Sequence, residues 1–567
     1  MADLPPTSTR DEGRGWRGAG GPIDTPGSGA IEHGRGRLTV IAGLCLVAFG
    51  AVIWRLVDLS VSEPPSSTRV TSASPSEAGR ADIVDRNGEL LARDLELSDV
   101  FLKPRLLSDP KAAARALHRA LPRLSADVLD RRFKNPDFAY VVRDATPKEA
   151  AAIHAVGLPG VEFQPTPKRA YPKGELFGHV LGYVDVDNRG LAGMERAEDA
   201  SLRLRGRSGA PLSLSVDTDV QFAVRQTLIE GIADFGASAA VGIVLDVRNG
   251  EVISLVSLPD FDPNTPTRGG EDGRRDRATS SIYEMGSVFK PFTFAAGFET
   301  GRLSMGDSFD ARAPLKIGRR TIHDYHPENR WLSTEEVFIH SSNIGTAQIA
   351  LKIGADAERK FFSSFGLLEK SPIELPEVET PLVQSHWGPI ESVTISYGFG
   401  LSVSPMQVAS GIAALVNGGT YVAPTIVKRA DGGAPPGRKV VSAATSKKIL
   451  QLMRANVLDG TGRSADIAGY NVGGKTGTAN KEEAGGYSSS KRVSSFVAVF
   501  PVDAPRFLVL VLLDEPTRVP GIAGQPPTGG ATAAPLSGQI ILRIAPMLGM
   551  PPAQQESLGS QVAYKRD

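Results

Sequence analysis

The sequence holds a single cysteine, Cys45, among 567 residues. No disulfide framework, CxxC pair or cysteine-based zinc cluster can be built from it. Histidine is scarce too. The eight present show no HExxH or comparable ligand spacing, so no dedicated metal site is expected. An excess of one charge is also missing: 63 basic residues meet 63 acidic ones. Without a net field the chain has no electrostatic pull toward nucleic acid. No internal repeat is visible. What is there is a 41% hydrophobic content, ample for a large core, on a chain long enough for two or three domains.

One long apolar run stands out. Leu38 to Trp54 carries no charge, and its extension to Val57 adds only Arg55. As a helix the extended run spans roughly 30 Å, about one hydrocarbon core, and Arg55 can snorkel at its end. Arg35 and Arg37 precede it, with Arg10, Arg14 and Arg17 further back. That bias places the N-terminus in the cytoplasm. A cleaved signal peptide fits less well, because the run exceeds the ~7–15 residues of a signal core and no A-x-A site follows. Residues 35–57 are therefore expected to be a single transmembrane helix. Residues 1–34, rich in Gly, Arg and Pro, are expected to be a disordered cytoplasmic tail. A docking role and a plain solvated leader remain equally open for that tail. Residues 58–78, rich in Ser, Pro and Thr, read as a linker. Everything beyond should lie outside the cytoplasmic membrane.

The exported part divides in two. Residues 79–210 read as an elongated pedestal. Asn87-Gly88 marks a tight hairpin turn after the strand-like Ile83-Val84. Lys111–Leu121 has helical spacing and Phe138–Arg143 is strand-like. Thr146 with Glu149 makes a capping box for a helix to Val156. Residues 211–548 follow another pattern. Leu212–Val216 alternates like a strand, and Asp217–Phe235 reads as a helix. Ala240–Leu245 and Glu251–Val256 flank an Asn-Gly turn, a hairpin. Val493–Phe500 and Phe507–Leu513 form a second strand pair, with helical stretches such as Pro405–Val416 between. Strands at both ends of a helical middle predict an α+β domain, an antiparallel sheet packed by helices. Residues 549–567 read as a C-terminal tail.

Three strings in the second domain carry chemistry. Ser287-Val-Phe-Lys290 follows a glycine and opens an apolar helix. Positions three apart share a helix face, so Lys290 can reach the Ser287 hydroxyl. A lysine desolvated in a cleft has a lowered pKa and can deprotonate a serine. Two other SxxK strings exist. Ser108–Lys111 opens a polar pedestal helix, and Ser488–Lys491 is expected in a Gly/Ser-rich loop. Both read as decoys. Ser341-Ser-Asn343 is the only S-x-N. Ser341 can relay a proton between Lys290 and a leaving amine; Asn343 can orient Lys290 and hold a substrate amide. Capping a helix near Ile344 is the plainer alternative. Lys475-Thr476-Gly477-Thr478 reads as an edge strand offering its backbone to an extended peptide, with Gly477 leaving room. Lys475 and the hydroxyls of Thr476 and Thr478 suit a terminal carboxylate. The N–H groups of Thr478 and Ser287 suit an oxyanion hole. The ordered triple predicts serine acyl transfer.

With these strings, and with Arg80–Ala92, Arg169–Pro172, Gly193–Glu195, Pro259–Asn264, Gly398–Gln407 and Gly529–Pro535, the chain resembles the class B penicillin-binding proteins. It is most similar to their division-specific branch, the FtsI type or penicillin-binding protein 3. The resemblance implies a β-lactamase-like transpeptidase domain on a dimerisation-type pedestal, held in the cell inner membrane with the catalytic part periplasmic. It implies that Ser287 attacks a D-Ala-D-Ala stem peptide, that β-lactams acylate the same serine, and that no metal or organic cofactor is needed. Implied partners are an FtsW-type lipid II polymerase and other divisome proteins. Met285 stands where the family usually has Pro, Val288 where Thr is common, and Ala81 where Gly is usual. An elongation-type transpeptidase, a D,D-carboxypeptidase or a β-lactamase-like hydrolase would share the strings. A non-enzymatic β-lactam sensor or divisome scaffold is the remaining class.

Overall fold

Two segments that read as unbroken apolar runs, Ala239–Asp246 and Phe507–Asp514, lie side by side in the catalytic half of the chain. They belong to a five-stranded antiparallel sheet in the order Gly473–Glu483, Gly486–Phe500, Phe507–Asp514, Ala239–Asp246, Val252–Leu258. Successive strand residues point to opposite faces, and both faces are covered. Leu508, Leu510 and Leu512 join Val241, Ile243 and Leu245 in one core. Phe507, Val509, Val511 and Leu513 join Ala240 and Val244 in the other. Helices Thr218–Phe235 and Ala533–Ile544 fill the second core; Lys290–Glu299 and Pro405–Val416 fill the first. A strand buried on both sides has no polar face, so its sequence does not alternate.

This computed structural model describes residues 79–430, 437–483 and 486–553, with isolated positions between 46 and 54. The 1–34 tail, nearly all of the 35–57 run, the 58–78 linker and residues 554–567 lie outside the described residues. Among the described residues no helix is long and apolar enough to cross a membrane.

In the pedestal, strand Leu90–Leu102 pairs antiparallel with Val161–Ala170, and Ala139–Ala145 joins its far end. The Asn87-Gly88 turn folds Ile83–Val84 back on it, with Gly88 at φ +88. The capping box is present: Thr146 Oγ1 accepts from Glu149 N at 3.3 Å, and Glu149 Oε2 from Thr146 N at 2.9 Å. Leu212–Val216 is shorter than expected. Only Leu212–Ser213 pairs, parallel to Ile83–Val84. Leu214 then makes a single bridge to Val427, and the chain turns into the helix cap at Asp217.

Three motifs far apart in sequence meet in one buried knot. Glu195 accepts from Arg80 Nε at 2.9 Å and from Arg169 Nε at 2.6 Å. Arg169 also donates to Asp94 at 3.1 Å and to the Ala81 carbonyl at 2.9 Å. The pedestal is tied to the catalytic half by two further polar clamps. Asp85 accepts from Asn87 N and Glu89 N in its own turn and from Thr218 N and Oγ1 at the helix start. Asn264 accepts from Tyr171 N at 3.0 Å and donates to its carbonyl at 2.9 Å.

Candidate active site

Ser287 sits in a short 3-10 turn, Gly286–Phe289, that runs directly into helix Lys290–Glu299. Glycines press this turn against the edge strand. Gly286 has φ +54, and a methyl group there would lie 2.6 Å from the Thr478 carbonyl oxygen and 3.3 Å from its nitrogen. A methyl on Gly477 would lie 2.6 Å from the Met285 carbonyl oxygen. The room expected at Gly477 for a substrate is thus taken by the nucleophile turn itself. Gly286→Ala is therefore expected to push Ser287 off the strand and slow acylation by about 10²-fold, the cost of roughly 1 Å of misplacement. Acylation kinetics with a fluorescent penicillin check this; an unchanged rate would refute it.

Lys290 is fully buried. Its Nζ donates to the Ser341 carbonyl, to Ser341 Oγ at 3.1 Å and to Asn343 Oδ1 at 3.0 Å. These three bonds use all the protons of an ammonium. Among the described residues none joins Lys290 to Ser287 Oγ, contrary to the simple helix-face expectation, because the Ser341–Asn343 segment offers three acceptors at once. Once neutral, the amine keeps two protons and gains a lone pair for the nucleophile.

Lys475, also fully buried, donates from the other side to Ser341 Oγ at 3.0 Å and to Thr476 Oγ1 at 3.3 Å. The chain of contacts continues through Thr476 Oγ1 to Thr461 Oγ1 at 2.7 Å, and from Thr461 Oγ1 to Asn456 Oδ1 at 3.0 Å. Asn456 then anchors the strand through the Gly474 carbonyl at 2.9 Å. Thr478 Oγ1 is separate from this chain and accepts from Gly529 N at 3.0 Å. The strand carrying Lys475–Thr478 is an edge, paired on one side only by Gly486–Phe500.

Ser341 reaches its place through an uncommon backbone. It has φ +58 and links helix Thr334–Ile339 to helix Asn343–Ile353. Ser342 caps the second helix, accepting from Gly345 N at 3.0 Å. Ser342 takes the capping role, while Ser341 and Asn343 turn to the lysine. Asp324 pins the segment, accepting from Ser342 Oγ at 2.7 Å, Asn343 N at 2.6 Å and Ile344 N at 2.9 Å. Sequence reasoning missed Asp324, Thr461 and Asn456, which sit in no motif. It also missed the contacts of Glu284, three residues before the nucleophile, whose carboxylate accepts from Gly400 N at 2.5 Å and Tyr487 Oη at 3.0 Å.

Burial sets the electrostatics. It pushes Lys290 down to about 7, against the opposing pull of Asp324. It pushes Lys475 well below the usual lysine range, and the charge on Lys290 adds to that. Both amines hydrogen-bond only to neutral oxygens.

The decoy strings are placed elsewhere. Ser108 precedes Asp109, the cap of helix Pro110–Ala120. Ser488–Lys491 is not in a loop as expected but in strand Gly486–Phe500. The register shifts there, so residues 488–491 bulge between the Tyr487–Glu482 and Arg492–Asn480 pairs, and Ser488 Oγ accepts from the Lys491 backbone N at 3.2 Å, away from the Ser341–Lys475 cluster.

The chain matches two family models: the penicillin-binding protein transpeptidase domain over residues 240–541 and the penicillin-binding protein dimerisation domain over residues 75–210. It is 43% identical to the probable peptidoglycan D,D-transpeptidase FtsI of Caulobacter vibrioides, over 84% of this chain and 82% of that one. It is 31% identical to the probable peptidoglycan D,D-transpeptidase PenA of Neisseria gonorrhoeae, over 85% and 88%. Among solved structures, penicillin-binding protein 3 of Mycobacterium tuberculosis in complex with aztreonam superposes with a TM-score of 0.66 at 27% identity, covering 84% of this chain and 97% of that one. Two family domains in this order, around two lysines that share one serine hydroxyl, place the chain among the class B penicillin-binding proteins, of the penicillin-binding protein 3 type.

Proposed function

We propose that this protein is a serine D,D-transpeptidase that crosslinks peptidoglycan stem peptides through an acyl-enzyme on Ser287, in septal wall synthesis. The observation that carries the reading is Ser341 Oγ held between two buried amines, at 3.1 Å from Lys290 Nζ and 3.0 Å from Lys475 Nζ. The names of the relatives support the same activity and the division role.

The chemistry follows from the charges. Two buried ammonium groups this close are mutually costly. A stem peptide brings a terminal carboxylate to Lys475, Thr476 and Thr478 and supplies the missing counter-charge. Lys475 then holds its proton, and its field keeps Lys290 neutral. Neutral Lys290 takes the proton of Ser287 as Oγ attacks the carbonyl of the penultimate D-Ala. The N–H groups of Ser287 and Thr478 receive the developing oxyanion, with Gly477 in the strand beside them. Ser341 passes a proton to the departing amine, the C–N bond breaks, and free D-Ala leaves. An amine of a neighbouring stem then attacks the ester, and Ser287 recovers its proton. Asn343 orients Lys290 throughout. β-Lactams enter as acylating analogues of the donor. No step calls for a metal or organic cofactor.

The remaining parts of the reading rest on the sequence. Residues 35–57 span the inner membrane once, with the 1–34 tail cytoplasmic. After the 58–78 linker, the 79–210 pedestal and the 211–548 transpeptidase domain are periplasmic, followed by the 549–567 tail. The pedestal and membrane helix engage an FtsW-type lipid II polymerase and other divisome proteins.

Labelling of membranes with a fluorescent penicillin tests the site. Ser287→Ala abolishes the labelled band, and Ser488→Ala keeps it at full intensity. The reverse pattern would overturn the assignment.

A further inference from the structure

Away from the catalytic groove, a cleft of about 550 Å³ opens between the pedestal turn and the hairpin that links the two strands Ala239–Asp246 and Val252–Leu258. Five cations line it: Arg86, Arg248, Lys428, Arg429 and Arg506. Three carboxylates, Asp217, Asp246 and Glu251, line it as well. All three are engaged. Asp217 caps a helix, Asp246 is paired with Arg248, and Glu251 accepts from Arg429 N and Arg86. Two positive charges are left in excess.

The excess falls on three side chains. The Lys428 ammonium donates to the Arg86 carbonyl at 3.0 Å. The Arg429 guanidinium donates to the carbonyls of Asn249 and Ala423 at 2.8 and 3.2 Å. Arg506 touches the Met550 sulfur at 3.5 Å and lies over the Phe507 ring, while its Nε is buried without a hydrogen-bond partner. A buried guanidinium N–H without an acceptor is costly and rare. Burial and the repulsion of Arg248 also hold Arg506 below its usual range. Beyond Arg248 and Arg506 a second cleft continues, about 790 Å³ and lined by Val416, Val422, Leu450 and Pro505.

We infer that this cleft binds a phosphate-class dianion, held by Arg506, Arg429 and Lys428 beside the pedestal turn at Arg86. Two excess charges match a dianion, and guanidinium forks suit phosphate oxygens. The adjoining apolar cleft suits an ester substituent on that phosphate. Nothing in the transpeptidase reaction uses this site.

Isothermal titration of the full-length protein in detergent tests the inference, with inorganic phosphate, phenyl phosphate and acetate as probes at constant ionic strength. The expected result is saturable one-site binding of phosphate, tighter binding of phenyl phosphate, and at least about tenfold weaker binding of acetate. Equal affinities for phosphate and phenyl phosphate would assign the site to the free anion; tighter phenyl phosphate assigns it to an ester. Arg506→Gln and, separately, the exposed Lys428→Gln are each expected to weaken phosphate by about tenfold or more. Both should acylate with penicillin at the unaltered rate, which reports an intact fold. Absence of saturable phosphate binding, or equal binding by the parent and both variants, overturns the inference.

Discussion

Lys290→Met lowers the rate constant of penicillin acylation by about 10²–10⁴-fold while Ser287 stays in place, the loss expected when a general base is removed. The methionine is of similar length and needs no desolvated charge, so the helix it opens should persist. In the unaltered protein, acylation should rise with pH through about 7, because Lys290 must lose its proton to act and burial brings that loss down to about 7. The same shift makes stability depend on pH. Unfolded, Lys290 titrates near 10.5, so the folded state binds fewer protons between about 7 and 10.5. This contribution to stability is complete above the unfolded value and is lost as pH falls through the folded one. Stopped-flow acylation between pH 6 and 9, and denaturant unfolding of parent and Lys290→Met across the same range, give both profiles. A parent acylation rate that is flat from pH 6 to 8 would sink the base assignment.

Glu195→Ala has the largest expected effect on folding, about 3–5 kcal/mol lost. It removes the carboxylate shared by two guanidinium groups, Arg80 and Arg169, whose side chains are 1% and 0% exposed, and leaves each with one carboxylate, Asp199 and Asp94. The exposed pair Arg93–Asp82 is the internal control. Its partners are 53% and 29% exposed, and Asp82→Ala there should cost about 0–1 kcal/mol. Denaturant midpoints of the two variants, read by hydrogen exchange at pedestal amides, make the comparison. Equal midpoints would show that the knot does not hold the pedestal together.

The difference between these sites explains what was readable in the sequence. Ser287, Lys290, Ser341, Asn343 and Lys475 were legible because acyl transfer needs those residue types in short strings, and each string also obeys a local rule of helix start, cap or edge strand. Asp324, Thr461 and Asn456 were not, because a hydrogen-bond partner brought in by tertiary folding leaves no periodicity or spacing. Arg80, Arg169 and Glu195 stood in recognisable motifs, yet nothing local announced that residues 115 apart would pair. The Ser488 string was misplaced for a related reason. Gly and Ser weaken a strand signal, and residues 488–491 form a bulge between the Tyr487–Glu482 and Arg492–Asn480 pairs, kept in the strand by the paired residues that flank them. Element types came through well where one period dominates, as in Thr218–Phe235. The length of Leu212–Ser213 did not, because its limit is set by the cap at Asp217 and by what lies across from it.

The strand order of the main sheet has a consequence for biosynthesis. Its middle member, Phe507–Asp514, emerges long after its neighbour Ala239–Asp246. The early hairpin must wait for that partner, a loop closure of long range and correspondingly slow. A chain that breaks off before Phe507 therefore leaves strands Gly473–Glu483 and Gly486–Phe500, on which the serine turn packs, without the neighbour that joins them to the early hairpin.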